Sequence, residues 1–150
     1  MRIEESQSAA AVRPLLEQWL AICHGDRFGI AISVAGVEKD LQARLDFGDG
    51  VLLLGYDGLE LVGFFAVFST KSSLSEQQVA VETFWFAVPN KRMAGYILFN
   101  AAKRWAKQKG CTHLLVSASR LASDLHDKVA QFCEKAGMRA FETTYVMEID

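Results

Sequence analysis

Glu82 stands in the run VAVETFWFAV, residues 79–88, where almost every neighbour is apolar. A carboxylate there loses hydration on folding, which disfavours its charged form and raises its pKa toward the range of a general base. The plainer alternative is a glutamate near a strand end that turns to solvent or pairs with Arg or Lys. Further on, the stretch PNKRMAGYILFNAAKRWAKQKG, residues 89–110, passes from two cations and a glycine into an amphipathic helical pattern. A helix beginning near Ala94 and Gly95 has no Ser, Thr, Asp or Asn of its own to satisfy its first N–H groups, although Asn90 caps it if it starts earlier. Gly95 lets another group approach the backbone, Lys91 and Arg92 add positive charge, and the helix dipole adds its positive end. Together these describe an anion site suited to phosphate, though water or a neighbouring side chain satisfies the same donors equally well. The run is neither a Walker A loop nor a G-x-G-x-x-G fingerprint.

The spacing of apolar residues predicts the elements that position these groups. Val12, Leu15, Leu16, Trp19, Leu20 and Cys23 fall on one face of a first helix, and Val37, Leu41 and Leu45 on a second, with a glycine-rich loop over 24–36. Two strands, VLLLGY and LELVGFFAVF, meet at Asp57-Gly58, a strong hairpin signal. Polar residues 69–78 read as a mobile loop. The run 79–88 reads as the most buried strand, because both of its alternating faces are apolar. Alternation places Glu82 with Ala80, Phe84, Phe86 and Val88. The helix after it carries Ile97, Leu98, Ala101, Ala102 and Trp105 inward and ends at Gly110. A strand HLLVSAS follows, completing a strand, helix, strand unit with parallel strands. A helix through DKVAQFCEKAG and a final strand ETTYVMEI finish the chain.

Composition bounds the function. The 150 residues fit one domain, 51% hydrophobic and 23% charged, as folded globular chains are. A net charge of −2 gives no basic field for nucleic acid or an anionic membrane. Cys23, Cys111 and Cys133 form no C-x-x-C pair and no metal-like cluster with the three histidines, so reduced thiols and no metal are expected. The acidic start MRIEE lacks a signal peptide's pattern, and no apolar run approaches the ~20 residues that cross a bilayer. A cytoplasmic protein is the expectation.

Residues 79–110 resemble the core of the GNAT superfamily of N-acyltransferases. There, a strand bearing a glutamate leads to a pyrophosphate loop of pattern Gln/Arg-x-x-Gly-x-Gly/Ala and then a helix. In this chain the loop reads Arg92-Met93-Ala94-Gly95-Tyr96-Ile97, with Ile97 where the family has Gly or Ala. The segment HDKVAQFCEKAGMRAFETTYVMEI is similar to the family's Asn-x-x-Ala-x-x-x-Tyr-Glu-Lys-x-Gly-Phe ending followed by a strand. Glu134, Lys135 and Gly137 fit; His126, Val129, Met138 and Cys133 replace Asn, Ala, Phe and Tyr.

The resemblance implies an α/β (α+β) fold over residues 1–150: one domain with a central splayed sheet of about six to seven strands flanked by about four helices. It implies acetyl-CoA bound where the glutamate strand and the next parallel strand part. The pantetheine arm would lie along Phe86, Ala87 and Val88. The pyrophosphate would rest on backbone N–H groups of Met93, Ala94, Gly95, Tyr96 and Ile97, beside Arg92. His126 would stand where the family's Asn contacts pantetheine. Glu82 would be the base that deprotonates an amine. The family's tyrosine general acid is replaced by Cys133, so Cys133 and Tyr145 are both candidates for protonating the leaving thiolate, each also readable as a packing residue. His24, Asp26 and Arg27 would line the acceptor pocket. Exposed strands at the sheet's edge leave room for a homodimer. A noncatalytic acyl-CoA-binding module on the same fold is the alternative function.

Overall fold

A computed structural model describes residues 1–149, apart from the side chains of Arg92, Ala122, Ser123 and Asp124. In chain order the elements are β1 (Arg2–Ser6), α1 (Arg13–Leu20), α2 (Val34–Phe47), β2 (Asp49–Asp57), β3 (Glu60–Lys71), β4 (Gln78–Ala87), α3 (Arg92–Gln108), β5 (His113–Leu115) and α4 (Ser123–Lys135). Short 3-10 turns cover Ala9–Val12, Gly25–Phe28 and Arg120–Ala122. The five strands form one sheet in the order β1-β2-β3-β4-β5, antiparallel except for the β4–β5 pair.

Alternation along β2 and β3 divides the core into two layers. Leu52, Leu54, Phe64, Ala66 and Phe68 pack with Leu15, Leu16, Leu41 and Leu45 of α1 and α2. Val51, Leu53, Phe65 and Val67 pack on the other face with Leu98, Phe99, Ala102 and Trp105 of α3. The sheet is thus covered on both faces, and each fully buried Leu or Phe contributes roughly 1.5–3 kcal/mol. Helix α2 begins where Ser33 Oγ accepts from the N–H of Gly36 at 2.9 Å. The β2–β3 hairpin closes at the expected Asp57-Gly58, with Gly58 left-handed at φ 62°.

Several sequence expectations change in the fold. The most buried strand is β3, whose residues 62–68 are buried without a break, whereas β4 buries only Ala80, Glu82 and Phe86. The reason is pairing: β3 has a strand on each side along its length, while β4 meets β5 only at Val79, Ala80 and Val81. β5 is correspondingly three residues long rather than seven. The polar loop shortens to 72–77 because β3 runs on through Lys71. Helix α3 starts at Arg92, two residues before Ala94.

The sheet has five strands rather than six or seven because the expected last strand, ETTYVMEI, forms no regular element. Its apolar side chains stay outside the core, Tyr145 at 89% and Ile149 at 87% exposure. The segment passes the loop after α1, where a Cβ on Gly29 would overlap the Glu148 carboxylate.

Candidate active site

The sheet opens where β4 and β5 part. Their parallel register ends at Val81 and Leu115, and Glu82 is the next residue on β4. Register also shifts here between β3 and β4: Glu82 stands opposite Val67 and Phe84 opposite Ala66, which leaves Thr83 as an extra residue, a β-bulge. The bulge corrects the face expected for Glu82. Opposed residues share a face, so Glu82 follows Val67 and Ala80 to the α3 side, whereas Phe84, Phe86 and Val88 belong to the α1 and α2 side. Simple alternation carries no signal for an inserted residue. The Thr83 hydroxyl is buried without a hydrogen-bond partner among the described residues.

Glu82 is only 8% exposed. Its Oε2 accepts a hydrogen bond from the backbone N–H of Ser117 at 3.1 Å, across the opening between the strands. Burial pushes its carboxyl up to about 7, and the Ser117 N–H, which favours the anion, offsets only part of that rise. The group is therefore poised to exchange a proton near neutral pH. Ser117 was not visible as a site residue in the sequence, because it acts through its main chain.

Helix α4 approaches from the same side. Phe132 inserts among Trp85, Tyr96 and Phe99, with ring centroids 5.4, 6.1 and 5.0 Å away. The next residue, Cys133, is half-buried, and its thiol is pushed up first by burial and then by the negative charges of Glu82 and Glu134. It keeps its proton at neutral pH, which makes it a donor but a weak acid. Tyr145 sits in the exposed terminal segment with an unpacked ring. Of the two proton-donor candidates, only Cys133 is electrostatically coupled to Glu82.

The start of α3, where the sequence leads us to expect an anion site, has no side-chain cap: its cap residue, Lys91, supplies no side-chain hydrogen bond to the first turn. The N–H of Lys91 bonds to Val88 O and the N–H of Ala94 to Lys91 O, both at 2.9 Å, so the turn is tied to the end of β4. Ala94 is buried, Met93 and Tyr96 are largely exposed, and Ile97 is half-buried. A Cβ on Gly95 would meet Ala87 and Trp85 at 3.7 Å, ordinary contact, so the protein's own packing does not require glycine there. The Arg92 side chain lies outside the described residues. Lys91 is not a free charge: its Nζ lies 2.6 Å from Asp57 Oδ2 on the hairpin. The sequence showed Asp57 only as a turn residue.

Phe86 and Val88 are buried at the end of β4 and Ala87 is half-buried between them. Beyond Val81 this stretch pairs with β3 on one side and not with β5 on the other. His126, in the first turn of α4, donates from Nδ1 to Ala118 O at 2.9 Å, which leaves Nε2 without the proton in the neutral ring. The loop after α1 is drawn to the same end of the sheet: the N–H of His24 bonds to Leu121 O at 2.5 Å. Asp26 and Arg27 follow in the adjoining 3-10 turn. Glu82, Ser117, His126 and this loop are therefore joined through the β5–α4 connection.

A relative in Bacillus subtilis (strain 168), the uncharacterized N-acetyltransferase YhfO, is 30% identical over 133 residues, spanning 85% of this chain and 86% of its own. The chain belongs to the GNAT superfamily of N-acetyltransferases. No family model matches it. Among solved structures, the ribosomal-protein-alanine N-acetyltransferase from Brucella melitensis biovar Abortus 2308 superposes with a TM-score of 0.72 at 15% identity, covering 99% of this chain and 100% of that one. An aminoglycoside acetyltransferase from an uncultured soil metagenomic sample, in complex with sisomicin, gives 0.61 at 16% identity, covering 98% and 96%. These structures share the fold. The GNAT chain described here is an acetyltransferase, and its family uses an acyl-CoA cosubstrate.

Proposed function

We propose that this GNAT enzyme, acting as one domain over residues 1–150, transfers an acetyl group from acetyl-CoA to a primary amine, with Glu82 as general base. The observation that carries the reading is a buried carboxylate titrating at about 7, placed where β4 and β5 part. Acetyl-CoA supplies the acyl group as a thioester, and the residues present fit it. The β4 backbone at Phe86, Ala87 and Val88 is open toward the β5 side for the pantetheine amides. The pyrophosphate would lie at the positive end of α3, along Met93 to Ile97. There the N–H of Ala94 is already bonded to Lys91 O, and the N–H groups from Gly95 onward belong to the helix's own ladder. Arg92 adds charge and His126 a ring nitrogen.

Glu82 then does the work that a neutral-pH amine needs. Such an amine is largely protonated and must lose a proton before its nitrogen can bond to the acyl carbon. Glu82 takes that proton, directly or through one water, and the freed nitrogen then bonds to the acyl carbon. As the carbon–sulfur bond breaks, the nitrogen gives up its second proton to solvent, which balances the one returned to sulfur. Ser117 N–H holds the carboxylate in place. Cys133 is the candidate that returns a proton to the departing sulfur; its raised pKa makes that step less favourable than with a stronger acid. His24, Asp26 and Arg27 form the rim that meets the acceptor. The acceptors named for the aminoglycoside and ribosomal-protein enzymes are both amines, which supports that class here.

Calorimetry with acetyl-CoA, followed by coenzyme A release against a panel of amines, tests the proposal. Binding is expected in wild type and Glu82→Gln alike, with turnover lost in the variant. Equal turnover in both would remove Glu82 from the chemistry.

A further inference from the structure

Lys91 occupies an unfavourable place for a cation, the cap of α3, where the helix dipole presents its positive end. Its backbone cannot move away, because its N–H is bonded to Val88 O and its carbonyl to Ala94 N. In the structure its charge is balanced from outside the helix, by Asp57 at 2.6 Å. Asp57 ends β2 and stands opposite Glu60 across the hairpin, and Glu60 also favours the charged form of Lys91. The chain's amino terminus faces Asp57 as well. The hairpin tip therefore holds two carboxylates beside the helix start to which the proposed function assigns coenzyme A phosphate.

The pair is partly solvent-exposed, Lys91 at 38% and Asp57 at 55% of their side-chain surface. Exposed ion pairs of this kind are weak and easily exchanged. A phosphate group offers the lysine at least one full negative charge and several acceptor oxygens, and it also meets the N–H groups of the first turn, which Asp57 does not.

Resting on that reading of the site, we propose that Asp57 is the resting counter-ion of Lys91 and is displaced by a phosphate group of coenzyme A. The β2–β3 hairpin thereby tunes affinity for the phosphorylated end of the cosubstrate. Asp57 competes with the ligand for one cation; its removal frees Lys91 rather than disabling it.

Calorimetric titration of the full chain with coenzyme A, in wild type, Asp57→Asn, Lys91→Met and the double variant, tests this. Asp57→Asn is expected to tighten binding by about fivefold, the upper end for an exposed pair, and Lys91→Met to weaken it. In the Lys91→Met background, Asp57→Asn is expected to have little effect. Repeating the titration with 3′-dephospho-coenzyme A identifies the phosphate. A gain that disappears assigns Lys91 to the 3′-phosphate, and a gain that persists assigns it to the diphosphate. Unchanged or weaker binding in a folded Asp57→Asn protein overturns the exchange, as does equal tightening with and without Lys91. If wild type binds no coenzyme A, the proposed function falls and this inference with it. Wild-type binding without an Asp57 effect overturns the inference alone.

Discussion

Glu82 carries opposite consequences for stability and for chemistry. Its folded pKa of about 7 lies above the ordinary 4.5, so the fold binds this proton more tightly than the unfolded chain does. The sign follows from linkage: the contribution is fully present below about pH 4.5 and is lost as pH climbs through about 7. Over that window the raised pKa costs on the order of 3 kcal/mol. Glu82→Gln removes the ionisation while keeping an oxygen for Ser117 N–H. Urea unfolding is therefore expected to show the variant more stable than wild type above pH 7 and nearly equal to it in acid; a constant difference at all pH values would contradict the burial argument. The residue itself was legible in the sequence as a carboxylate in an apolar run. Its face was not, because Thr83 is inserted at the bulge, and neither was its partner, because Ser117 contributes only an N–H.

At the scale of elements, α3 joins the core to the proposed phosphate site, and two glycines separate these roles. Gly63 on β3 lies under Leu98, and a Cβ there would stand 2.9 Å from Leu98 Cδ1 and 3.0 Å from Phe86 O. Backbone cannot yield easily, so Gly63→Ala is expected to destabilise by about 1–3 kcal/mol in denaturant unfolding. Gly95 differs, since its Cβ would meet only ordinary contacts at 3.7 Å. Gly95→Ala is expected to leave stability unchanged or raise it by up to about 1 kcal/mol through helix propensity, while weakening acetyl-CoA binding measured by calorimetry. A variant that binds as wild type does would show that no ligand needs the close approach. The helix and its apolar stripe were legible because Leu98, Ala102 and Trp105 repeat at helical spacing. Its start was displaced in the sequence reading because the first turn lacks the side-chain cap that marks most helices.

Across the molecule, the strand order, the two-layer core and the parting of β4 from β5 agree with the GNAT fold, and the Asp57-Gly58 hairpin and the alternating runs made most of it readable in advance. The end of the chain was less legible. The run ETTYVMEI reads as a strand in the sequence, but strand pairing depends on a neighbour, and β5 offers only three residues. No helix among the described residues is long and apolar enough to cross a membrane. The fold buries one carboxylate, Glu82, where β4 and β5 part, and the proposed function places the cosubstrate at that opening. The most direct test is coenzyme A release from acetyl-CoA, with an amine acceptor, in wild type and Glu82→Gln across pH. Wild-type kcat/KM is expected to rise with pH through an apparent pKa near 7, and Glu82→Gln to lose both that limb and about 10²–10⁴-fold in rate. A variant with the same rate and the same pH profile would contradict the assignment of Glu82 as the base.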